Sequence, residues 1–262
     1  MQNQIHSHPI TIAIDKISRI FSDMGFDTVE GPELEDEWHN FDALNVAKDH
    51  SSRDMQDTFW IKDIRGKNKY NEDQGYVLRT HTSNMQIRTM EKYVSLGKMQ
   101  GNKEDYIAIC CPGKVFRNEA TDATHEAQFH QIEMLYVAKD ASLAMMIGVT
   151  QKFLSEFFGS SHELKIRLRS SYFPFVEPGN EADMQCFKCE GKGCNVCKNT
   201  GWIEIGGAGM VHPKVLESTG IDSREYRGFA FGCGIDRLVM LKYGIDDLRL
   251  LYNGDLRVVN QF

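Results

Sequence analysis

Four cysteines packed into one short stretch constrain this chain more than any other feature. The stretch reads CFKCEGKG and then CNVCKNTG, two eight-residue units that each start Cys-x-x-Cys and end in glycine. A Cys-x-x-Cys pair brings two sulfurs to one side of a tight turn. Four thiolates complete a tetrahedron around Zn²⁺ with no open position, the pattern of a structural site. Cys186, Cys189, Cys194 and Cys197 are therefore read as zinc ligands, with the two glycines of the spacer permitting the turn. The competing reading is a redox pair or free thiols. The other three cysteines, Cys110, Cys111 and Cys233, lie in apolar or glycine-rich contexts, and an odd total with one tight cluster argues for metal over a disulfide framework.

The 262 residues suffice for one large domain or two small ones, and 41% hydrophobic with 10% aromatic residues can fill a substantial core. No run approaches the roughly 18 apolar residues of a membrane span. The opening MQNQIHSHPI has neither a basic n-region nor an apolar h-region, so the expected location is cytoplasmic, away from membranes. A net charge of −7 speaks against nucleic-acid binding through a broad basic surface on this chain alone.

Ile10, Ile14, Ile17, Phe21 and Met24 recur at gaps of 4, 3, 4 and 3, one helical stripe with Pro9 in its first turn and Gly25 as its stop. A strand and the Gly31–Pro32 turn follow. Residues 62–76 and 97–105 read as solvated hairpin or loop. Strands are expected over 106–117, 129–138, 164–169, 173–177, 202–211 and 227–231. Helices are expected from Ser142 to Phe158, with Asp140 as cap, and from Gly234 to Tyr243. Helices and strands do not alternate regularly, which predicts an α+β fold around an antiparallel sheet. No linker divides the chain, and the only internal repeat is the cysteine cluster.

In a strand, residues two apart share a face. FHQIEMLYV then lines up Phe129, Gln131 and Glu133 on one face. A buried carboxylate without a partner is costly, so this face should meet solvent or a polar ligand. The same spacing recurs for His81 and Ser83, for Arg117 and Glu119, and for Phe173, Phe175 and Glu177. Each alone is ordinary alternation; together they predict side chains flooring one pocket. GFAFGCGIDRLVML adds a strand, a glycine turn and a helix whose N-terminus favours an anion, with Arg237 one turn in.

These segments resemble the three signature motifs of class II aminoacyl-tRNA synthetases. The helix and GFDTVEGPELE, with Pro32, look like motif 1; VFRNEATDATHEAQFHQIE looks like motif 2; GFAFGCGIDRLVM looks like motif 3. Within that class, NFDALN, RDMQDTFW, LRTHTS, FHQIE, YFPFVEPG and GMVHP resemble the alpha subunits of phenylalanyl-tRNA synthetases, over almost the whole chain from about residue 8. The resemblance implies one catalytic domain over 1–262, an antiparallel sheet flanked by helices, with a zinc knuckle inserted at 186–201. Such subunits usually begin with a helical, roughly coiled-coil arm that contacts tRNA, and that arm is expected to be absent here.

The resemblance also implies a role for each residue. Arg117 would bridge the amino-acid carboxylate and the ATP α-phosphate. Phe129 would stack on adenine with Arg237 on its other face, and Glu119 and His125 would contact ATP. His81, Ser83, Gln131 and Glu133 would hold the amino-acid ammonium and carboxylate. Phe173 and Phe175 would grip the phenyl ring, Ala230 would close the pocket, and Trp60 and Gln86 would support the amino-acid end. Glu177 would hold Mg²⁺. The implied partners are L-phenylalanine, ATP, tRNA(Phe) and a beta subunit in an (αβ)₂ assembly. A tRNA-independent amino-acid ligase or regulatory paralogue that keeps the adenylate site, and a zinc-dependent binding module with a dead pocket, are the competing functional readings.

Overall fold

The computed structural model describes residues 6–61, 75–102 and 105–262. The first helix, α1 (Pro9–Asp23), starts at the expected proline. Its stripe is buried at Ile10, Ile17 and Phe21, and the chain leaves it through Gly25, whose φ of +85° suits glycine. Short strands β1 (Asp27–Thr28) and β2 (Leu34–Asp36) lead to a one-turn helix, α2 (Glu37–Asn40). Strand β4 (Tyr76–Leu78) pairs with β2 on one side and β3 (Trp60–Ile61) on the other in a three-stranded sheet, and α3 (Asn84–Ser95) follows. Most of the hairpin or loop expected over 62–76, namely 62–74, lies outside the described residues, as do 103–104 of the second expected loop.

The main sheet has seven strands. Beyond β1 these are β5 (Ile107–Phe116), β6 (Gln128–Ala138), β7 (Ile166–Ser170), β8 (Val176–Gln185), β9 (Trp202–Val211) and β10 (Arg227–Gly234). Their order is β1-β5-β6-β10-β9-β8-β7; only β1 pairs in parallel. The expected antiparallel α+β architecture is thus present. Helices α4 (Leu143–Phe158), α5 (Pro213–Ser218) and α6 (Ile235–Tyr243) complete the frame.

Alternation along the strands divides the core in two. Ile132 and Met134 of β6, with Phe229 and Phe231 of β10, pack toward α1, α4 and α6. Leu135, Val137 and Ala230 turn the other way, into a second cluster with Ile87 and Met90 of α3 and Leu216 of α5. Gln131 and Glu133 share the parity of Leu135, so they stand on this second face where the helical cover is incomplete.

Four expectations need correction. Ser142, not Asp140, caps α4: its hydroxyl accepts from the Met145 N–H at 3.3 Å. Residues 173–175 are a turn closed by a Phe173–Val176 bridge, and the strand begins at Val176. Pro174 inside YFPFV removes a ladder donor, which accounts for the turn. His81 and Ser83 lie in the turn that opens α3. Arg117 and Glu119 lie just past the end of β5, where Arg117 still takes one bond back from the return strand, its N–H donating to the Ala127 carbonyl at 3.0 Å. Of the four segments expected to alternate, only the β6 face is a regular strand.

Candidate active site

The uncovered part of the second face is a cavity of about 550 Å³. Its walls include Arg117, Glu119, His81, Ser83, Gln131, Glu133, Phe173, Phe175 and Ala230, nine of the residues singled out in the sequence.

Glu133 rises from β6 and is only 8% exposed. Burial pushes its carboxyl up to about 7, against the hydrogen bonds of Ser83 and Gln86, which favour the charged form. The Gln86 amide donates to Oε1 at 2.6 Å, so Gln86 stands behind the wall and holds the carboxylate. Across the ladder Glu133 faces Gly232, where an added Cβ would sit 2.4 Å from Oε2; only glycine leaves room for the acid. Gln131 Oε1 and His81 Nδ1 are buried without a hydrogen-bond partner, two polar atoms aimed at something a ligand would supply. Burial, followed by the Arg117 charge, holds His81 down to about 4, so at neutral pH its ring is uncharged.

The Arg117 Nε donates to the Thr80 carbonyl at 3.4 Å, and its guanidinium lies 5.1 Å from the Phe129 ring centroid. The Phe173 and Phe175 rings lie 6.0 Å apart at 27°, and Phe175 is 6.5 Å from the His81 ring. An added Cβ at Gly207 would meet Phe173 at 3.2 Å, so the glycine in β9 seats that ring. The cavity wall thus combines aromatic rings, a guanidinium, an amide and a carboxyl.

The remaining expected residues lie off the wall. Trp60 packs behind it, stacked on Phe41 at 6.2 Å, and donates from Nε1 to the Arg53 carbonyl at 3.0 Å. Phe129 flanks Arg117. His125 is exposed in the 117–127 loop and bonds Asp122. Arg237 is exposed on α6, one turn beyond Gly234 of the cavity wall. Glu177 is exposed and pairs with His212 at 3.2 Å. Sequence reasoning missed Phe41, Tyr172, Asp57 and the pair Gly206–Gly207 as wall residues. Doubled glycines inside a strand were the available signal, because they mark close approach.

Among the described residues, two clusters could hold a metal ion. For Zn–S bonds of about 2.3 Å, a tetrahedron has edges of about 3.8 Å. The Cys186–Cys194, Cys189–Cys197 and Cys194–Cys197 Sγ separations are 3.7, 3.7 and 3.8 Å. The backbone N–H groups of Gly193, Cys194 and Gly201 donate to these sulfurs at 3.1 to 3.3 Å, as they would to thiolates. Both unit-ending glycines, Gly193 and Gly201, have positive φ. The four cysteines fit zinc. The second cluster, Glu35, Asp36 and His39, does not call for a metal, since Arg88 forks onto Glu35 and Asn84 donates to it. Glu177 belongs to neither cluster; Mg²⁺ needs only one or two carboxylates when phosphates supply the rest.

The cavity lies on one face of a seven-stranded, mainly antiparallel sheet. The family described as tRNA synthetases class II core domain (F) matches residues 1–262, and the chain belongs to it. It is 51% identical to the phenylalanine–tRNA ligase alpha subunit of Bacillus licheniformis over 97% of its own length and 68% of that protein's. The subunits of the same name from Staphylococcus haemolyticus and Cellvibrio japonicus are 50% and 47% identical, with 97% of this chain covered in each and 66% and 68% of theirs. The chain thus spans about two thirds of these relatives.

Proposed function

We propose that this chain is the catalytic alpha subunit of a phenylalanine–tRNA ligase, joining L-phenylalanine to ATP as an adenylate and passing the acyl group to tRNA(Phe). The observation that carries this reading is the make-up of one cavity wall, which joins two phenylalanine rings, the Arg117 guanidinium and the polar groups of His81, Gln131 and Glu133.

A substrate ring against Phe173 and Phe175 gains about 0.5–1.5 kcal/mol per aromatic pair beyond burial. Its ammonium then reaches Glu133 and the unpartnered Gln131 oxygen, which converts an unfavourable buried acid into an ion pair. Ser83 and the neutral His81 complete the polar contacts, and Ala230 leaves the space that a larger residue would fill. The substrate carboxylate, already ionised, needs no general base. It attacks the α-phosphorus, an O–P bond forms, the bond to the β-phosphate oxygen breaks, and pyrophosphate leaves. Catalysis is then positioning and stabilisation of charge. The Arg117 fork can bind one carboxylate and one phosphate oxygen at once. Phe129 offers a face to adenine, while Glu119, His125 and Arg237 border the approach of the nucleotide. Trp60 and Gln86 brace the amino-acid end. Glu177 would hold a Mg²⁺ away from the cavity wall, in a separate recess lined also by Met210 and Tyr226, and a Mg²⁺ bound with ATP would offset the phosphate charge. In the second step a ribose hydroxyl of tRNA attacks the acyl carbonyl and AMP leaves.

Cys186, Cys189, Cys194 and Cys197 hold a structural Zn²⁺ outside this chemistry. Among the described residues no helix is long and apolar enough to cross a membrane; the reading places the protein in the cytoplasm, assembled with a beta subunit as (αβ)₂. The test is ATP–pyrophosphate exchange by the chain with its beta partner across a panel of amino acids. Phenylalanine should support exchange best, tyrosine about 10²-fold less well because an apolar pocket rejects an added hydroxyl only weakly. Best exchange with an aliphatic or charged amino acid would refute the assignment of the ring pair.

A further inference from the structure

Arg79 is 3% exposed and does not line the cavity, yet four of its atoms are hydrogen-bonded to the segments around it, and its neighbour Thr80 is on the cavity wall. Its Nε donates to the Lys114 carbonyl at 2.7 Å and its Nη1 to the Gly31 carbonyl at 3.3 Å. Its own N–H donates to the Glu33 carbonyl, and its carbonyl accepts from the Phe116 N–H, both at 2.9 Å. Among the described residues no carboxylate forms an ion pair with it. A buried cation that has only carbonyl partners is costly, and an apolar side chain would fill the same space without that cost. Stability alone therefore does not account for an arginine here.

What the cation holds is informative. Phe116, bonded to the Arg79 carbonyl, immediately precedes Arg117. Thr80, next in the chain, accepts from Arg117 Nε through its carbonyl, and Asn40 holds it from the other side through Oγ1 at 3.1 Å and N–H at 3.3 Å. His81 follows. The clamp also has a glycine cut to fit it: an added Cβ at Gly113 would lie 2.2 Å from Arg79 Nη2. Gly113 pairs across the ladder with Gln131.

We propose that Arg79 is a positioning residue for the activation step: its guanidinium pins the Gly31 and Lys114 carbonyls and so fixes the backbone of residues 79–80, whose carbonyls accept from the Phe116 N–H and from Arg117 Nε, so that Arg117 and His81 face the cavity together. This rests on the reading of the cavity as a phenylalanine-activating site. Because Arg79 touches no substrate, its loss should leave binding nearly intact and misplace the groups that act in the transition state, a displacement that costs about 10²-fold in rate. Lysine retains the charge but loses the fork that spans Lys114 and Gly31.

The test uses the chain assembled with its beta partner and the variants Arg79→Met, Arg79→Lys, Gly113→Ala and the double variant Arg79→Met/Gly113→Ala. In pyrophosphate exchange, Arg79→Met and Arg79→Lys should both lower kcat by about 10²-fold with KM for phenylalanine and ATP changed by less than about threefold. Gly113→Ala should lower kcat and melting temperature on the wild-type background and much less on the Arg79→Met background, since the guanidinium its methyl strikes at 2.2 Å is gone and only the Thr82 methyl at 3.3 Å remains close. Rescue by lysine, a loss confined to KM, or equal effects of Gly113→Ala on both backgrounds would overturn the proposal. If the wild type gives no phenylalanine-dependent exchange, the reading of the site fails, and the melting-temperature cycle still decides whether the clamp exists. If Arg79→Met does not fold, the missing lysine rescue and the kcat-against-KM split of Gly113→Ala decide it.

Discussion

Glu133 concentrates the chemistry of the site in one residue. Its carboxyl is raised to about 7 from the ordinary value of 4.5, so the folded protein holds a proton there that the unfolded chain releases. For a raised acid, its contribution to stability is complete below about 4.5 and is lost as pH climbs through 7. The substrate's demand has the opposite sign, because an ammonium is attracted only to the carboxylate. Unliganded protein should therefore lose stability between pH 4.5 and 7, while affinity for phenylalanine rises across the upper part of that window. Glu133→Gln should flatten both curves. Melting and calorimetric titration at a series of pH values check this; an affinity independent of pH from about 6 to 8 in the wild type, about one unit to either side of the window's upper edge, would contradict it. The placement of Glu133 was legible, since period-two alternation put it with Gln131 on the face opposite Ile132 and Met134. Its companion Gln86 was legible only through family likeness, because a helix residue 47 positions away leaves no mark in local pattern.

At the scale of elements, alternation read the long strands well and the turns poorly. Residues 202–211 are the β9 strand as expected, β5 is a residue shorter than expected at each end, and β6 starts one residue early. By contrast His81, Arg117, Phe173 and Phe175 sit in turns, where direction comes from contacts with distant segments and no period exists to read. The cysteine knuckle joins β8 to β9 at the end away from the cavity, with the Cys186 N–H donating to the Gly201 carbonyl at 2.9 Å and Phe187 stacked on Phe158 of α4 at 4.4 Å. Its repeat was plain in the sequence, since both halves must make the same turn around one centre. Purified protein should contain about one zinc per chain, and chelation should lower the melting temperature by several degrees, roughly 2–4 °C per kcal/mol for a domain of this size. Amide exchange should rise over 183–204 and stay nearly constant at 131–135. Zinc far below one per chain, with melting indifferent to chelator, would return these sulfurs to free thiols.

Across the whole molecule, one sheet separates two tasks. The face toward α1, α4 and α6 is a continuous apolar core; the other is apolar near α3 and α5 and opens into the cavity between them and the β8–β9 strands. No local window could reveal that the 79–83, 117–119 and 172–176 turns converge over β6, because the convergence is set by strand order β6-β10-β9-β8, a property of the complete sheet. The claim on which the rest depends is that this convergence puts the Arg117 fork beside an ionised carboxylate and a phosphate. Phenylalanine-dependent ATP–pyrophosphate exchange by Arg117→Ala, measured beside the wild type in assembly with the beta subunit, tests it most directly. The account predicts a loss of at least about 10² in kcat with the fold intact by circular dichroism; exchange within about twofold of the wild type would contradict it.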